Sequence, residues 1–202
     1  DDNWSSLQYD IIQAATQLNN HKLDQLFSDG LSCYPMSVYY EHCLLPVLQH
    51  VRSQHEQPLL PRAFEYLLKR KLCTFIHHQQ KHSDGPAILL ATNHEDAEIE
   101  LLACAYALGA AAFQTHYFGA KLSANDLALA AVSLSCEHLW LHLHPCNLDI
   151  SRQWLQQLAS LGIHLYVSGA VPAQFNQQSD IHILPESFSQ QIQQFITSGD
   201  FS

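Results

Sequence analysis

Of the 202 residues 14 are histidine and 6 are cysteine, and the densest run of them alternates: Cys136, His138, Trp140, His142, His144 and Cys146 share one parity. In a straight strand every second side chain points to the same face, so these six are expected on one face and Leu139, Leu141 and Leu143 on the other. The chemistry open to such a face is metal ligation. At about 3.3 Å per residue, His138 and His144 lie about 20 Å apart and cannot share one ion. His142-x-His144, joined by Cys146 or by a distant residue such as His94, has suitable reach, and a transition metal or a haem iron suits such donors. His142 and His144 are therefore the candidate metal ligands. A plainer reading stands beside this one, in which partly buried imidazoles bond to backbone or carboxylate groups.

A second signal is the stretch Ala91-Thr92-Asn93-His94-Glu95-Asp96-Ala97-Glu98-Ile99-Glu100, which holds four carboxylates and no glycine. Acidic side chains suit a helix N-terminus but repel a phosphate there, and the GxGxxG that lets main-chain amides approach a pyrophosphate is absent. This weighs against NAD, flavin and nucleotide ligands. Capping and solubilising the helix would use the same carboxylates equally well. His77, His78 and His82 fall at the end of a helix, where imidazolium suits the dipole, and read as a solvated face. Glu41-His42 could pair as acid and base, but helical neighbours point apart and no nucleophile is placed beside them. GxSxG, HExxH and P-loop motifs are all missing, and catalysis is not expected.

The elements that must hold these residues are of two kinds. Trp4, Leu7, Ile11, Ala14, Ala15 and Leu18 recur at helical spacing. A second helix over 20–29 is expected to be capped by Asn20 and ended by Gly30. A third starts near Pro35, carries Val38, Leu45, Leu48 and Val51, and bends at Pro46; a fourth follows Pro61 with Phe64, Leu67, Leu68, Leu72, Phe75 and Ile76. Residues 1–80 thus read as a four-helix bundle, and 81–86 as a linker of turn formers. From 87 to 202 strands (87–91, 113–118, 138–143, 163–167, 181–184) alternate with helices (96–108, 124–132, 151–161, 187–196). This α/β order predicts βαβ crossovers and a flavodoxin/Rossmann-like, five-stranded parallel sheet, with any ligand at the strands' carboxyl ends where the strand order switches.

A chain of this length with 47% hydrophobic residues can bury a core, as one domain or as two small ones. Its net charge of −10 opposes phosphate backbones and anionic membranes. Scattered cysteines inside apolar stretches read as reduced thiols in the cytoplasm, and no apolar run reaches the length of a membrane helix. The start, Asp1-Asp2-Asn3-Trp4, lacks Met and a signal-like region and reads as a piece of a longer protein.

With both halves in view, the chain resembles the cobalamin-binding domains of corrinoid proteins and of light-responsive MerR-type repressors. The similarity runs through Gly85-Pro86-Ala87-Ile88-Leu89-Leu90-Ala91-Thr92, Tyr117-Phe118-Gly119-Ala120 and Ser123-Ala124-Asn125-Asp126-Leu127-Ala128. The resemblance implies a helical cap over the upper face of a corrin and a Rossmann-like domain on its lower face. The family's Asp/Glu-x-His-x-x-Gly falls on residues 96–101, so Asp96 is kept, Glu98 replaces the cobalt-ligating histidine and Leu101 the glycine. Its Ser-x-Leu falls on His142-Leu143-His144, and its Gly-Gly on Ser168-Gly169. In the bundle, the family's tryptophan falls on His55 and its Glu-His on Glu65-Tyr66; an alternative register uses Glu41-His42. His55, Glu65, Tyr66, Asp96, Glu98, His142, Ser168 and Gly169 are the candidate ligand-binding residues on this basis.

The expected function is the effector or oligomerisation domain of a cytoplasmic bacterial MerR-type transcription regulator that resembles a B12-binding domain without binding cobalamin. DNA would be reached through a domain preceding Asp1, and the partners would be copies of the chain and a small-molecule effector. The alternative is a sensor taking haem, a corrinoid without protein histidine ligation, or another small ligand in a crevice between the two halves.

Overall fold

The computed structural model describes residues 2–81, 84–176 and 178–198. The chain divides into two compact units, Asp1–His77 and His78–Ser202. His82 and Ser83 of the expected linker lie outside the described residues.

The first unit is helical: α1 (Asp2–Thr16), α2 (Asn20–Cys33), α3 (Met36–Tyr39), a π turn (Tyr40–Leu44), α4 (Leu45–Arg52) and α5 (Leu59–Gln80), whose last turn enters the second unit. Two local expectations are corrected. Asn19, not Asn20, caps α2, its side chain accepting the Lys22 N–H at 3.0 Å. Gly30 does not end that helix but lies inside it, because a Cβ there would run into the Tyr39 ring. The glycine is used for its size, not for a left-handed turn. Pro46 lies in the first turn of α4, and the third segment runs on through it. Proline cannot donate to the carbonyl four residues back, and the His42 oxygen freed in this way accepts Gln8 Nε2 at 2.7 Å. The ladder widens into the π turn just before this point. Phe27 and Phe64 meet edge to face at 5.7 Å, and Leu23, Val47, Leu68 and Leu72 of the same unit are also buried.

The second unit is built on five parallel strands in the order β2-β1-β3-β4-β5: β1 (Ala87–Thr92), β2 (Gln114–Tyr117), β3 (His138–Leu143), β4 (His164–Gly169) and β5 (Ile181–Ile183). Between them run α6 (Glu98–Ala110), α7 (Ala124–Leu134) and α8 (Leu148–Leu158), and α9 (Phe188–Ser198) closes the order. This is the flavodoxin/Rossmann-like α/β arrangement, and its switch point lies between β1 and β3. Register pairs Thr92 with His142 and Leu143 with Gly169, so the carboxyl ends of the central strands align.

Leu139, Leu141 and Leu143 share a core with Leu127 of α7 and with Trp154, Leu155 and Leu158 of α8. On the other face Trp140 meets Phe195 of α9 at 5.1 Å, and His138 stacks on His164 at 5.1 Å. The expected six-residue polar face shrinks to His138, Trp140 and His142. Cys136 joins the leucine-face core instead, because it follows the left-handed Ser135 (φ 52°) and lies ahead of the strand, where parity does not reach. His144 and Cys146 lie past the end of β3.

Candidate functional site

At the switch point the two strand ends are tied together by one side chain. Asn93, buried directly after β1, accepts the His144 N–H at Oδ1 (2.6 Å). Its Nδ2 donates among the His144 carbonyl (3.0 Å), the Asn147 carbonyl (3.2 Å) and Ser151 Oγ (2.8 Å). Asn147 Nδ2 returns a bond to the Asn93 carbonyl at 2.8 Å, and Ser151 Oγ donates to the Asn147 carbonyl at 3.0 Å. A buried amide satisfied in this way fixes both loops and the first turn of α8 as one piece.

Each loop then opens on a histidine in the same role. His94 precedes a 3-10 turn (Glu95–Ala97) and its Nδ1 accepts the Asp96 N–H at 3.2 Å; His144 precedes another (Pro145–Asn147) and its Nδ1 accepts the Cys146 N–H at 3.3 Å. The two imidazoles stack with centroids 4.6 Å apart and planes at 18°. One donor atom from each of His94, His144 and Cys146 falls within 4.8 Å of the others. Asp96 Oδ2 lies 3.5 Å from His94 Nδ1.

Beside this cluster a cleft of about 670 Å³ opens between the loop after β1, the start of α7 and the side of α8, with Asn93, His94, Lys121, Asn147, Trp154 and Gln157 among its walls. Its rim at α7 is rigid: Ser123 Oγ accepts the Asp126 N–H while Asp126 Oδ2 accepts the Ser123 N–H, a reciprocal cap. That bonding, to the Ser123 hydroxyl first, holds the Asp126 carboxyl below its ordinary value.

No described residue of this cleft is among the eight expected ligand-binding positions. His142 and Ser168 do come together, on the opposite face: Ser168 Oγ, fully buried, accepts Trp140 Nε1 at 3.0 Å and lies 2.9 Å from His142 Nδ1. Glu100 Oε1 stands 3.4 Å from the same nitrogen. Burial holds the His142 imidazole below its ordinary value, with Glu100 acting the other way. Gly169 takes a φ of +82°, and a Cβ there would collide with the Leu143 carbonyl. Glu98 Oε1 accepts the Tyr117 hydroxyl at 2.7 Å, and Asp96 is exposed. In the helical unit His55 sits in an exposed turn, Glu65 accepts Arg52 Nε at 2.7 Å, and Tyr66 is exposed.

No protein-family model matches the chain, and no curated protein matches it. Among solved structures it is similar to the methanol:cobalamin methyltransferase complex MtaBC from Methanosarcina barkeri. The TM-score is 0.46 and the identity 13%, over 98% of this chain and 81% of that one. Among the described residues no helix is long and apolar enough to cross a membrane.

Two features went unread in the sequence. Asn93 carried a signal, an amide ending an otherwise apolar strand, but its partners lie more than 50 positions away. The α8 side of the cleft carried none, since its amides look like any solvated helix face.

Proposed function

We propose that this chain is the non-catalytic, ligand-sensing module of a bacterial MerR-type transcription regulator, and that it works without histidine-ligated cobalamin. DNA contact, which a chain of net charge −10 does not favour, is assigned to another part of the regulator. The observation that carries the reading is the cleft at the β1–β3 switch. It has the size of a small-molecule pocket, and its walls offer amides and an indole. Its Ser123 hydroxyl is already engaged in the cap of α7.

The residues at the matched cobalt-side positions do not suit a corrinoid held by a protein histidine. Glu98 is bonded to Tyr117, and Leu101, where the family has glycine, is wholly buried. A carboxylate in place of imidazole removes the nitrogen donor, and moving Leu101 aside would open the core. Titration with methylcobalamin followed by its visible absorbance is expected to show no saturable change. A complex of about micromolar affinity or tighter would contradict the reading.

A further inference from the structure

We propose that His94, His144 and Cys146 form a binding site for a thiophilic divalent cation of the zinc class. The inference does not depend on the regulatory reading above. Two imidazoles and a thiolate are a donor set that zinc accepts, leaving a fourth position for water, for the nearby Asp96 carboxylate or for a ligand entering the cleft that His94 lines.

Three observations support the site. The first is convergence: the donors come from the ends of two different strands, 50 residues apart in sequence, yet lie within 4.8 Å of one another. Zinc holds such atoms at about 2.0–2.3 Å, so closing on an ion takes an inward movement of about 1 Å together with a rotation of one ring out of the His94–His144 stack, whose planes stand at 18°. Cys146, exposed in a short 3-10 turn outside the sheet, is placed to make the inward movement.

The second is preorganisation. Asn93 grips both main-chain groups of His144 and immediately precedes His94, so the two histidine backbones are positioned before an ion arrives. The third is the state of the rings. Each accepts a main-chain N–H at Nδ1, so neither carries a proton on that atom, and the contacts of 3.2 and 3.3 Å are long for such bonds. Either can be exchanged for a metal bond with little loss. On binding, the Cys146 thiol gives its proton to solvent and the thiolate sulfur donates an electron pair to the ion, with no change of oxidation state. His142, bonded near Ser168 and Glu100 on the other face of β3, takes no part.

The test is a titration of the untagged, metal-stripped chain with Co2+, a spectroscopic stand-in for zinc. One equivalent is expected to bring in a thiolate-to-cobalt charge-transfer band in the near ultraviolet and tetrahedral d–d bands in the visible, both erased by equimolar Zn2+. Cys146→Ser, at an exposed position, is expected to abolish the charge-transfer band with an unchanged far-ultraviolet circular dichroism spectrum. His94→Ala and His144→Ala are expected to weaken binding by more than about tenfold, the size that losing even an outer-shell partner brings. His142→Asn is expected to leave it unchanged. A wild-type chain without the charge-transfer band, or a band that survives Cys146→Ser, overturns the proposal. So does a loss of affinity in His142→Asn equal to that in His94→Ala.

Discussion

Leu139, Leu141 and Leu143 on one face of β3 and His138, Trp140 and His142 on the other come from the same six residues, yet they are held by different physics. The leucines are buried against α7 and α8 and need nothing but close packing. The other three need hydrogen bonds and ring contacts, which Ser168, His164 and Phe195 supply. Both faces are therefore structurally committed. The donors of the proposed metal site lie just past the strand ends, at His94, His144 and Cys146, where the ladder stops and the loops begin.

Substitutions can break this contrast in order of expected effect. Leu141→Ala empties a fully buried position and is expected to cost about 3 kcal/mol in chemical denaturation, within the range for buried leucines, without altering metal affinity. Asn93→Ala strands several polar groups at once and is expected to cost about 2–3 kcal/mol. Unlike Leu141→Ala, it should also weaken cobalt binding, because the two histidine loops lose their common anchor. If Asn93→Ala destabilises the chain and leaves the metal site intact, the loops are positioned by something else.

A smaller effect is expected from pH. Burial lowers the His142 imidazole below the ordinary 6.5, and burial with the neighbouring His164 lowers His138, against a pull upward from Glu137. In the unfolded chain these groups take up protons near 6.5, while in the folded chain they do so only at lower pH. Between those two values the unfolded state holds more protons, so stability is complete above 6.5 and declines as the pH falls below it. Denaturation midpoints measured at a series of pH values should show this slope, and His142→Asn should reduce it. A slope unchanged by that substitution would mean that His142 titrates alike in both states.

The fold was legible because its signals are local. The alternation of short apolar runs with amphipathic stretches marked all five strands, and the helical periodicity ahead of them marked the helices of the first unit. What misled were residues whose roles are set by distant partners. Gly30 reads as a helix stop and instead makes room for Tyr39. Cys136, His144 and Cys146 share the parity of β3, but the strand ends at Leu143, so parity cannot place them. Asn93 is one amide among many in sequence, and only the pairing of β1 with β3 brings it to His144. The resemblance drew attention to Glu98 and His142, each of which has its own internal partner.

The most direct check on placing the chemistry at the strand ends is the imidazole nitrogen spectrum of the chain, labelled at histidine, recorded as zinc is added. The His94 and His144 resonances are expected to move together and saturate at one equivalent while those of His138 and His142 stay in place. Movement of His142 at the first equivalent, with His94 and His144 unaffected, would contradict it.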